Sequence, residues 1–122
     1  MFAHERLQAW RLCHELVLAV YRATASFPKH ELYGLTSQAR RSAFSVAVNI
    51  VEGAAKRGPA EFRRFLDISV GSMAELAYTL QVARDLKLLD QKSWFALERI
   101  RKQAGFVTWK LYAAVGNAVS RS

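Results

Sequence analysis

Residues that interrupt regular structure are scarce in this chain and widely spaced. Six Gly and two Pro are spread over 122 residues. The firmest breaks are Phe27-Pro28-Lys29-His30 and Gly58-Pro59, with Leu89-Asp90 a weaker third. A many-turned all-β fold needs more punctuation than this. Between the breaks apolar residues return about every 3.6 positions, which predicts helices near residues 5–26, 36–57, 60–88 and 91–118. Thr36 or Ser37 can cap the second, Pro59 suits the first turn of the third, and Asp90 can cap the fourth. Helices of this length joined by short connections lie antiparallel. The expected fold is therefore all-α, an up-down-up-down four-helix bundle with residues 1–122 as one domain.

A hydrophobic fraction of 52% excludes a disordered chain. Eighteen Lys and Arg against 10 Asp and Glu leave a net charge of +8, which turns attention to polyanionic partners: RNA, DNA or an acidic protein. The single cysteine, Cys13, cannot form an intrachain disulfide and sits in a helical stretch, where it reads as a small buried hydrophobe. The opening Met1-Phe2-Ala3-His4-Glu5-Arg6 mixes charges and lacks the apolar core of a signal peptide. No apolar run approaches the roughly 20 residues that span a bilayer, so a cytoplasmic location is expected.

Rolling each helix at about 100° per residue sorts its faces. The third has the cleanest stripe, with Phe62, Phe65, Leu66, Ser69, Val70, Met73, Leu76, Leu80 and Ala83 together and Arg64, Asp67, Gly71, Glu75 and Tyr78 opposite. The fourth carries a core stripe of Leu97, Ile100, Ala104, Val107, Leu111, Val115 and Ala118. On its other side Phe95, Phe106 and Trp109 form a second apolar line. Three aromatics in a row suit a subunit interface; the alternative is that Phe95 and Phe106 tuck under connecting loops.

On the second helix Ala39, Ala43, Val46 and Ile50 share one face and Phe44, Val48 and Val51 another. Between them Gln38, Arg41, Ser45, Asn49 and Glu52 fall within about 80° of arc. A polar ladder flanked by apolar surface is expected to be partly buried, with Arg41 paired to Glu52 or Glu75. It reads either as a network that fixes helix register and subunit contact or as a functional site.

Catalytic constellations are hard to find. His4, His14 and His30 lack the spacing that aims two ligands at one metal, and no glycine-rich phosphate loop exists. No cofactor, metal site or enzymatic activity is expected. The cations are better organised. Lys56-Arg57 end the second helix and Arg63-Arg64 open the third, so four gather at the Gly58-Pro59 turn. Arg40 projects from the second helix, and Arg99, Arg101 and Lys102 cluster on the fourth. Cations in the first turn oppose the helix dipole, so capping does not explain Arg63 and Arg64. Solvation or phosphate contact does. Without a helix-turn-helix, zinc finger or stacking sheet, such contact is backbone-directed and weakly sequence-specific.

These residues resemble a bacterial four-helix bundle family whose members include proteins encoded in intervening sequences of 23S ribosomal RNA genes. The resemblance rests on Phe27-Pro28, Glu31, Tyr33-Gly34-Leu35-Thr36-Ser37-Gln38, Arg40-Arg41, Ser45, Asn49-Ile50, Glu52-Gly53 and Arg57. It continues through Phe62, Phe65, Ser72, Glu75-Leu76, Leu80, Ala83 and Leu89, and Leu7-Gln8-Ala9-Trp10, Leu16 and Tyr21 fit the opening. The resemblance implies antiparallel bundles assembled as ring-shaped homopentamers. The family is also similar to the accessory variability determinant of diversity-generating retroelements, a basic pentamer that binds a reverse transcriptase and nucleic acid. The ladder Gln38, Arg41, Ser45, Asn49, Glu52 falls on recurring polar positions of the family.

There are departures. Ala47 stands where many relatives have Pro, Ala77 and Thr79 replace Glu and Gln, and Lys87-Leu88 replaces Gly-Tyr. The leading expectation is a non-enzymatic oligomer that binds structured RNA or DNA through Arg40, Lys56, Arg57, Arg63 and Arg64. Against it stands a scaffold that docks a protein such as a polymerase. A third reading, an enzyme built on Arg41, Glu52 and Glu75, has no recognisable reaction behind it.

Overall fold

The computed structural model describes residues 1–121. Four α-helices carry it: α1 Gln8–Thr24, α2 Ser37–Ala54, α3 Gly58–Asp85 and α4 Gln91–Arg121. Helix α1 packs on α2 and α4, and α3 packs on the same two, so the helices form the square of an antiparallel four-helix bundle. Among the described residues there is no strand. Nor is any helix among these residues long and apolar enough to cross a membrane.

The core is built from the stripes the periodicity picks out. Leu16 and Val20 of α1, Val46 and Ile50 of α2, Leu66, Leu76 and Leu80 of α3 and Ala104 of α4 are closed to solvent. Small residues let α2 and α3 approach closely: Ala39, Ala43, Ala47 and Gly53 are all buried on α2. Buried hydroxyls in this seam find partners, as Ser69 Oγ does by donating to the Val46 carbonyl at 2.9 Å. Cys13 is fully buried between α1 and α4, its Sγ 3.2 Å from Thr108 Oγ1. Burial pushes its thiol up to about 11.

The helix ends differ in detail from the periodic reading. Helix α1 begins at Gln8, after a separate 3₁₀ turn over Ala3–Arg6. Leu7 is extended between them, and the Phe2 N–H donates to Glu5 Oε2 at 3.0 Å. Neither Thr36 nor Ser37 caps α2. A 3₁₀ turn, Lys29–Glu31, and a π turn, Leu32–Thr36, lead into it. The π turn is capped by Glu31, whose Oε1 accepts the Leu35 N–H at 3.1 Å. Gly34 makes room for that carboxylate, since a Cβ there would stand 2.6 Å from Glu31 Oε1.

The remaining turns follow sequence logic. Gly58 takes φ +80°, a conformation natural to glycine, and Pro59 sits in the first turn of α3. Asp90 Oδ1 accepts the Ser93 N–H at 2.7 Å and caps α4.

Candidate nucleic-acid interface

The α2–α3 turn sets the geometry of the basic end. Because α3 starts four residues after α2 ends, Lys56 and Arg57 in the connection stand beside Arg63 and Arg64 in the second turn of α3. All four are exposed. Phe65 lies beneath two of them, with Lys56 Nζ 5.5 Å and the Arg64 guanidinium 4.7 Å from its ring centre. Arg64 also pairs with Glu61 at 2.9 Å, an exposed i,i+3 contact of small energetic worth. Arg63 reaches across to α4 and lies 5.4 Å over the Tyr112 ring. Among the described residues, Lys56, Arg57 and Arg63 form no ion pair.

Arg40 is elsewhere. It occupies the first turn of α2, and 14 residues of helical rise put it about 21 Å from Ala54, where the helix ends. Its guanidinium lies 4.8 Å over Tyr21, its Nε donates to Thr24 Oγ1 at 2.9 Å and its NH2 nitrogen donates to the Tyr21 carbonyl at 3.3 Å. Arg40 therefore ties α2 to the end of α1 and does not belong to the cationic cluster. On α4, Arg101 is engaged as well, through two bonds to Glu98 at 2.8 and 2.7 Å.

The polar ladder is only partly a network. Ser45 Oγ and Ser72 Oγ are 2.7 Å apart, and Asn49 Nδ2 donates to the Ser45 carbonyl at 2.8 Å and its hydroxyl at 3.1 Å. The expected pairing of Arg41 with Glu52 or Glu75 does not form, and Gln38, Arg41, Glu52 and Glu75 are all exposed. The reason lies in the neighbouring faces. Ala39, Ala43, Val46 and Ile50 fill the core side, while Phe44 stays 55% exposed instead of closing over the ladder. Arg41, Phe44, Ser45, Val48, Ser72 and Glu75 therefore wall an open cleft between α2 and α3, where water solvates the charges.

Phe95, Phe106 and Trp109 are 60%, 63% and 54% exposed, so no loop covers them. Trp109 is further associated with Tyr112, ring centres 5.5 Å apart, and the Tyr112 hydroxyl donates to Asp67 Oδ1 at 3.1 Å. Tyr112 and Asp67 were not apparent as site residues. Their signal was present: Tyr112 follows Trp109 at i+3 and Asp67 follows Arg63 at i+4, which puts each pair on one helix face. Among the described residues, no group of His, Cys, Asp and Glu could hold a metal ion.

The architecture is thus a helical bundle with a cationic end and no metal-binding cluster among its described residues. The chain belongs to the family of 23S rRNA-intervening sequence proteins, whose family model matches residues 5–106. That match covers α1, α2, α3 and the first half of α4, and includes the cationic turn. No curated protein matches the chain.

Proposed function

We propose that this protein is a non-enzymatic, self-associating bundle of the cytoplasm that binds structured RNA or DNA through phosphate contacts. The observation that carries the reading is the convergence of Lys56, Arg57, Arg63 and Arg64 at one end of the bundle. Among the described residues, three of them have no ion pair, and the fourth has only exposed Glu61. The family name, which refers to an intervening sequence of 23S rRNA, agrees with a ribonucleic partner. Of the line Phe95, Phe106 and Trp109 expected at a subunit contact, we assign self-association to Phe95 and Phe106, because Trp109 lies against Tyr112 at 5.5 Å beside Arg63. This is in keeping with the ring-shaped homopentamer that the resemblance implies. A ring repeats the cationic end on every subunit, so weak single contacts add by avidity.

Polarisation of a fluorescent structured RNA, titrated at salt concentrations from about 50 to 200 mM, tests this. For roughly 6–10 phosphate contacts the affinity falls on the order of 10³–10⁵-fold across that range. Arg57→Glu and Arg64→Glu weaken binding and flatten the salt slope while the helical spectrum stays unchanged. Salt-independent or absent binding sinks the phosphate reading. It would favour a scaffold that docks a protein, a reading to which the exposed Phe95 and Phe106 are equally suited.

A further inference from the structure

We infer that the cleft between α3 and α4 beside Arg63 receives one unpaired nucleotide, its base stacked on Trp109 and its phosphate held by Arg63 and Arg64. The inference rests on the phosphate-binding reading and adds what that reading lacks, a place for a base. Arg63 and Tyr112 are the wall shared by two clefts. On one side lie Ala60, Arg64 and Asp67, in a space of about 340 Å³. On the other lie Trp109, Gly116, Asn117 and Ser120, around about 230 Å³. The second volume falls below the roughly 300–1,000 Å³ of pockets for whole small-molecule ligands, and it suits a single planar group open to solvent on one side.

The walls supply what a base needs. Trp109 is half exposed and offers a ring face, and Tyr112 buttresses it at 5.5 Å and a tilt of 39°. The Tyr112 hydroxyl is held by Asp67, so the ring over which Arg63 lies is fixed at both ends. Arg63 rests against α4 beside Gly116, where a Cβ would stand in ordinary contact at 3.4 Å from Arg63 Nε. The Asn117 amide both donates and accepts, as the edge of any base requires. Stacking on an aromatic face beside arginines is the chemistry by which proteins hold single strands, and a base inside a duplex cannot present its face in this way. Trp109, Tyr112, Gly116, Asn117 and Ser120 all lie beyond Phe106, outside the segment that the family model matches.

The test compares a short single-stranded RNA with a duplex of equal phosphate count, each end-labelled and titrated into the wild-type protein and two variants at low salt. Trp109→Ala is expected to weaken single-strand binding on the order of 10- to 100-fold and to leave duplex binding and the salt slope as they are. Trp109→Phe, which keeps a ring face, retains most of the single-strand affinity. Equal losses on both probes, or no loss on the single strand, overturn the base pocket while salt-dependent binding leaves the phosphate reading standing. If the wild-type protein binds neither probe in a salt-dependent way, the phosphate reading fails and takes this one with it. Light scattering on both variants closes the remaining gap: a change of subunit number with Trp109→Ala would assign that ring to a subunit contact and overturn the pocket.

Discussion

A Cβ on Gly53 would stand 2.9 Å from both Phe62 Cδ1 and Phe65 Cβ, so α2 and α3 meet there at backbone distance. Gly53→Ala is expected to cost about 1–3 kcal/mol in urea unfolding, because neither ring can retreat without moving a helix. The same shift loosens the Phe65 ring that lies beneath Lys56 and Arg64. Lys87 presents the opposite case. It holds φ 63° after α3, with the Lys87 N–H donating to Arg84 O and the Leu88 N–H to Ala83 O, each at 2.9 Å. That bond pair is a Schellman stop, whose left-handed position favours glycine. Lys87→Gly is expected to raise stability by about 1 kcal/mol in the same assay.

At the scale of elements, the start of α4 depends on one exposed carboxylate. Hydrogen bonding to the Ser93 N–H holds Asp90 below the ordinary carboxylate range. A depressed folded-state pKa means stability that is present above the unfolded value and lost as pH falls through the folded one. Melting temperatures of wild type and Asp90→Ala should therefore differ at neutral pH and converge in acid; a constant gap down to low pH would remove the carboxylate from the account. Asp90 was legible because a capping residue beside a break is a local signal. The turns over Lys29–Glu31 and Leu32–Thr36 were not, since their stop is a side chain, Glu31, reaching four residues forward. The ladder on α2 was misread for a related reason. A wheel shows that Arg41, Ser45 and Glu52 share a face, but burial depends on whether Phe44 closes over them, and Phe44 points to solvent.

For the whole molecule, linear charge counts could not tell one end of the bundle from the other. Lys56, Arg57, Arg63 and Arg64 are near in sequence and near in space, whereas Arg40 is carried to the far end by the length of α2 and occupied there by Tyr21 and Thr24. Replacing Arg40 by Met should lower stability and leave RNA affinity untouched in a polarisation titration, the reverse of the pattern expected for Arg57→Glu. If the proposed self-association runs through this face, Phe106→Asp should lower the subunit number in light scattering with the helical spectrum retained, since the ring is 63% exposed in the single chain. Cys13 offers a different use of the same fold. Its thiol is closed to solvent, pinned to Thr108 across the α1–α4 seam and raised to about 11. A disulfide reagent can reach it only when those two helices part. The chain's single sulfhydryl is thus a built-in clock for the parting of its first and last helices, and its labelling rate would time that event with no probe added to the molecule.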